Sequence, residues 1–137
     1  MKKIILIFHG RFPSEKAASL FAAKSAEAFA SLGIEVELVV PRRKRSITED
    51  PYIYYSVQKN FSIRYLPTVD LFLVPVFDRF AFWISYTVFS FFVFLYALKN
   101  SSKETVFYSN EMFSLAPISL ISKNTFYEMH DFPESKL

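Results

Sequence analysis

Five short apolar runs recur along the chain, and each stops at a proline, a glycine or a polar cluster. They are Ile4–Phe8, Ile34–Val40, Ser62–Leu66, Thr105–Ser109 and Thr125–His130. Ile4–Phe8 is continuously apolar, as suits a strand buried on both faces of a parallel sheet. Ile34–Val40 alternates first, then turns fully apolar before Pro41. Between the runs the period changes. From Pro13-Ser14 to about Leu32 the pattern is helical, with Ser14 as a candidate N-cap and Gly33 placed to end the helix. Phe21, Phe29 and Leu32 fall on one face of it, Lys16, Lys24 and Glu27 on another. The many alanines favour helix and close packing on a sheet. Met112–Ser122 reads as a short helix with Pro117 inside it, so a kink or late start is expected. The order is βαβ, loop, β, helix, β, helix, β. It predicts an α/β fold, a doubly wound parallel sheet; if that sheet is ordered 3-2-1-4-5, the chain reverses direction between strands 1 and 4.

Phe80–Leu98 is nineteen residues without a charge and holds nine aromatics. That approaches the roughly 20 residues that cross a bilayer. Ser85, Thr87 and Ser90 interrupt the apolar surface, however, and strand runs lie on both sides. The preferred reading is a helix buried against the sheet, with an outer aromatic face able to dip into a membrane surface. The N-terminal run is too short for a secretory signal core of about 7–15 residues and reads as a strand.

At 137 residues, with 52% hydrophobic and 19% aromatic positions, the chain suits one domain with a real core. It has no cysteine, which excludes disulfides, thiolate metal sites and cysteine nucleophiles. The only glycines are Gly10 and Gly33, so neither a P-loop nor a Gly-rich dinucleotide loop is present. The net charge of +3 does not by itself imply nucleic acid. Arg42–Arg45 is a local basic run: either a solvated surface or a contact for an anionic acceptor or membrane. Asp50–Asn60 reads as an aromatic loop, with room for a short helix. Its tyrosines can line a sugar-binding surface or simply pack.

Ligands of a parallel α/β sheet bind at the carboxyl ends of its strands, where the strand order reverses. Three groups stand at such ends: His9, Gly10 and Arg11; Ser109, Asn110 and Glu111; Glu128, His130 and Asp131. Gly10 can adopt backbone angles closed to other residues, which suits a tight turn. Strand alternation points Glu128 and His130 one way and Asp131 the other. Each of these groups can equally be a hydrogen-bonded strand end. No nucleophile-elbow motif surrounds Ser109, and no HExxH-like spacing supports a metal.

Several of these stretches together resemble the N-terminal domain of family 4 glycosyltransferases, which have the two-domain GT-B fold. They are Lys3–Phe8 with Phe12-Pro13-Ser14; Lys24–Phe29 through Val36; Tyr54-Tyr55-Ser56-Val57 with Asn60-Phe61-Ser62-Ile63; and above all Phe126-Tyr127-Glu128-Met129-His130-Asp131. The resemblance covers nearly the whole chain, residues 1–137, as a partial N-terminal domain. It implies a Rossmann-like, acceptor-side half of an enzyme that transfers a hexosyl group from a nucleotide-sugar to a lipid-linked or polysaccharide acceptor. Retention at the sugar carbon, no bound metal and no other cofactor are implied with it. His130 would face the transferred sugar, supported by Asp131 and Glu128. Gly10 and Arg11 would approach donor phosphate and acceptor beside His9, Asn110 and Glu111. The donor would bind mostly to a second domain absent from these residues, so the chain alone is expected to be inactive. A cytoplasmic place, peripheral at the inner face of the membrane through Phe80–Leu98 and Arg42–Arg45, is the matching localisation. Two other readings compete. One is a non-catalytic binding domain with a response-regulator-like fold, which lacks its acidic cluster after strand 1. The other is a small membrane protein with one span at Phe80–Leu98.

Overall fold

The computed structural model describes residues 2–44, 47–69 and 78–128. Within them the chain runs β1 (Lys3–Ile7), α1 (Ala17–Ser31), β2 (Glu35–Pro41), α2 (Pro51–Tyr54), β3 (Ser62–Leu66), α3 (Asp78–Asn100), β4 (Thr105–Ser109), α4 (Met112–Ile118) and β5 (Thr125–Tyr127). The strands form one parallel sheet ordered β3-β2-β1-β4-β5. This is the expected doubly wound Rossmann-like fold. Right-handed crossovers put successive connections on opposite faces once the order reverses at β1 and β4.

Alternation along β1 divides the core in two. Ile4, Leu6 and Phe8 face α1 and pack with Val36, Leu38, Val40 and the alanines Ala22, Ala23 and Ala26. Ile5 and Ile7 face α3 and α4, and pack with Val39, Phe89, Val93, Phe107 and Ile118. Phe89 and Phe107 are wholly enclosed, and each such side chain contributes about 1.5–3 kcal/mol relative to exposure. The buried Glu37 on the α3 face is matched by Arg64 of β3 at 3.4 Å, whose guanidinium lies over the Tyr96 ring. A carboxylate in such a place requires a partner of this kind.

Helix α1 departs from expectation twice. It begins at Ala17, and Lys16 rather than Ser14 occupies the N-cap, without a side-chain cap. Ser14 is buried and committed elsewhere: its Oγ lies 2.6 Å from Ser19 Oγ. The buried face is also not that of the large residues. Phe21 and Leu32 are 55% and 75% exposed and Phe29 is half-buried, whereas Ser19, Ala22, Ala23 and Ala26 are buried. Small side chains let the helix backbone approach the sheet closely, and that close approach outweighs the apolar area of the phenylalanines. Gly33 ends the helix as expected, at φ +82°, and its N–H donates to Ala30 O at 3.0 Å.

The aromatic loop contains the one-turn α2, capped by Asp50, whose carboxylate accepts from Tyr52 N–H at 2.8 Å. Helix α4 stops at Ile118, one residue after Pro117, rather than reaching Ser122. Strand β5 ends at Tyr127, although Glu128 N–H still donates to Ser109 O at 2.9 Å. Helix α3 extends past both ends of the uncharged run and lies against the sheet through Phe89, Val93 and Ala97. Among the described residues no helix is long and apolar enough to cross a membrane.

Candidate functional site

The strand order makes β1, β4 and β5 neighbours, so their carboxyl ends share one rim. That rim is stitched together. Ser109 Oγ donates to Ile7 O at 2.9 Å and accepts from Glu111 N–H at 3.0 Å. The residues singled out by sequence fall on both sides of it.

His9 continues the alternation of Ile5 and Ile7, and so faces α3. Its ring stacks on Tyr86 with centroids 3.6 Å apart and meets Phe89 edge-on at 5.4 Å. Arg43, from the basic run after β2, lies 3.4 Å from His9 Nε2. Burial, reinforced by the Arg43 guanidinium, pushes the His9 imidazole down to about 3. At neutral pH it is an uncharged donor and acceptor, not a cation. Tyr86 also interacts with Glu111: burial first, then a hydrogen bond to that carboxylate, raises the phenol above its ordinary range. Glu111 is at the same time the N-cap of α4, accepting from Phe113 N–H and, at 3.1 Å, from Ser114 N–H. It therefore has a structural task at the place where a ligand contact was expected.

Glu128 stands on the opposite, α1 side. Its carboxylate accepts a hydrogen bond from Tyr108 Oη. Burial and that carboxylate raise the Tyr108 phenol, so it remains a donor. Asn110 and Glu128 border a cavity of about 330 Å³ whose walls include Leu6, Phe8, Phe21 and Ala22. An apolar floor with a carboxylate and an amide at its lip suits a ligand that is part apolar and part hydroxylated.

The loop from Gly10 to Ser14 links the two sides. Gly10 does not need a positive φ, contrary to expectation; among glycines that belongs to Gly33. It is needed for space, since a Cβ would lie 2.5 Å from Phe8 Cζ. Arg11 donates to Lys44 O, and its own carbonyl accepts from Ser19 Oγ at 2.9 Å. Tyr55 clamps the far end: its hydroxyl accepts from Ser14 N–H and donates to Ser14 O, both at 2.8 Å. His130 and Asp131 lie outside the described residues, as does Arg45.

Tyr86 and Tyr108 were not singled out by sequence. Tyr108 carries a usable signal: on β4 it lies two positions before Asn110 and pairs with Phe126, whose face alternation continues to Glu128. Tyr86 carries none, because it is one aromatic among nine in an uncharged run.

No family model matches the chain, and no curated protein matches it. Among solved structures, the apo form of UGT2 from Phytolacca americana, a plant UDP-glycosyltransferase, aligns with a TM-score of 0.58 at 15% identity. The alignment covers 93% of this chain and 29% of that one. At this identity the likeness is one of fold: the two chains share a Rossmann-like parallel α/β architecture.

Proposed function

We propose that the chain is the acceptor-side half of a glycosyltransferase of the family 4 kind. It would serve transfer of a sugar, with retention, from a nucleotide-sugar to a lipid-linked or polysaccharide acceptor at the cytoplasmic face of a membrane. One observation carries the reading. The sheet order β3-β2-β1-β4-β5 gathers His9, Asn110, Glu111 and Glu128 at the rim where doubly wound folds bind ligands. The fold likeness to a UDP-glycosyltransferase supports it. The nucleotide is then held largely by residues outside these 137.

In this reading the cavity between α1 and β4 receives the acceptor, and Glu128, oriented by Tyr108, accepts from its hydroxyls. The neutral His9 closes the rim on the other side. His130, three positions beyond Tyr127 in sequence, is the group assigned to the transferred sugar, with Asp131 in support. Hydrogen bonds that strengthen as charge develops at the sugar are the main source of rate in such a site.

The test has two parts. In a form that transfers sugar, His130→Ala should lower kcat by roughly 10²–10³-fold with the fold retained. Unchanged kcat removes His130 from the site. In the 137-residue chain, Glu128→Gln should abolish NMR shifts induced by an oligosaccharide acceptor at Tyr108 and Asn110. An acceptor that shifts neither residue refutes the cavity assignment.

A further inference from the structure

Helix α3 is inverted relative to an ordinary surface helix. Its buried residues are mostly small or hydroxylated: Ala81, Ser85, Ser90 and Ala97, with Phe89 and Val93 between them. Its outward residues are Phe80, Trp83, Ile84, Phe91, Leu95 and Leu98, from 39% to 68% exposed. At helical periodicity these fall within an arc of about 120°. The stripe is about 27 Å long and carries no charge; Thr87 is its one polar position. It continues onto α4, where Phe113 meets Trp83 with ring centroids 5.3 Å apart and Met112 is exposed beside it in sequence. An apolar strip of this extent marks an interaction surface.

Cations flank both ends. At the N-terminal end, Arg42 and Lys44 are exposed in the loop after β2. Arg43 of that loop lies against His9, which stacks on Tyr86 of α3, so the loop sits close to the helix. At the other end Lys99 and Lys103 are exposed. The neighbouring acids are Asp78 at the first helical position, Glu104 next to Lys103, and Glu111, which caps α4.

We propose that the outward stripe of α3, extended by Met112 and Phe113, docks on an anionic lipid bilayer. The helix lies in the plane of the interface, its aromatics among the upper acyl chains and the flanking cations on the headgroup phosphates. Charge selects this occupant over a second copy of the chain. With cations at both ends of the helix, parallel and antiparallel self-pairing alike would set cation against cation. An anionic surface meets both ends at once. Trp83 stands where an interfacial tryptophan belongs, at the edge of the apolar arc. The proposal rests on the membrane location in the proposed function and names the surface that reaches the lipid; vesicle binding is read without sugar transfer, so either reading can fail alone.

Trp83 is the only tryptophan, so its emission reports on this face alone. The experiment mixes the chain with phosphatidylcholine vesicles containing roughly 30 mol% phosphatidylglycerol, or none. Sedimentation and Trp83 fluorescence are recorded at low and high salt. The expected result is a blue shift and co-sedimentation with anionic vesicles, weakened by salt. Phe91→Ser with Leu95→Ser should lower partitioning by at least about tenfold while the circular dichroism spectrum stays native, since both side chains are exposed. Arg42→Glu with Lys44→Glu should remove the salt dependence. The proposal is overturned if anionic vesicles leave Trp83 emission and sedimentation unchanged, or if Phe91→Ser/Leu95→Ser binds as the native chain does. It is equally overturned if, without lipid, the blue shift accompanies formation of a dimer.

Discussion

Replacing Tyr55 by phenylalanine isolates the contribution of one hydroxyl to the loop that joins the two sides of the site. The ring is retained, with its contacts to Phe12 at 5.4 Å and Tyr54 at 4.9 Å. The change is therefore close to pure loss of the two 2.8 Å hydrogen bonds to Ser14 N–H and C=O. Tyr55 and Ser14 are 6% and 4% exposed, so water does not replace the lost partner without the loop moving. A buried polar group left unsatisfied costs about 1–3 kcal/mol, and two backbone groups on one residue give about 2–4 kcal/mol after partial relaxation. That is a large share of the ~5–15 kcal/mol by which domains are stable. Tyr52→Phe is the internal control. Its hydroxyl donates once, to Phe61 O at 2.6 Å, from a half-buried position, and its loss should cost about 1 kcal/mol. Urea unfolding followed by circular dichroism measures both. Hydrogen exchange should then show faster exchange at residues 10–16 in Tyr55→Phe only. If Tyr55→Phe costs no more than Tyr52→Phe, or leaves exchange in that loop unchanged, the clamp is not what holds the loop.

The remaining expectations concern the same rim. His9 binds fewer protons folded than unfolded between its folded value of about 3 and its ordinary 6.5. Its contribution to stability is therefore complete above pH 6.5 and is lost as pH falls toward 3. Urea midpoints measured from pH 7.5 to 4 should fall more steeply for the native chain than for His9→Gln; parallel curves would refute burial of a neutral His9. Gly10→Ala forces the Phe8 ring aside from its 2.5 Å approach and should cost about 1–3 kcal/mol by the same assay. A neutral result would mean that the ring has room to turn.

Much of the fold was legible because its determinants are local and periodic. Continuous β-branched runs marked β1 and β2, Gly33 marked the end of α1, and the spacing of runs implied parallel crossovers. The order β3-β2-β1-β4-β5 came from the structure, because right-handed crossovers are compatible with more than one doubly wound order. The face of α1 was misread, because periodicity weighs large side chains while the sheet selected small ones for close approach. Ser14 was read as a cap from its local context, but Tyr55, forty-one residues away in sequence, holds it in the loop.

The candidate site was legible as positions and not as chemistry. The chain by itself determined which residues stand at strand ends, because alternation and strand-breaking residues are written in the sequence. Only the tertiary structure decided what each one meets. It set His9 against Tyr86 and Arg43, and so left it neutral. It gave Glu111 to the first turn of α4 and Glu128 to Tyr108. It also turned the bulky face of α3 outward, although the uncharged run alone was compatible with a buried helix or a membrane span. The physical reason is the same in each case. Backbone geometry follows from neighbours in sequence, whereas burial, charge state and hydrogen-bond partners follow from neighbours in space.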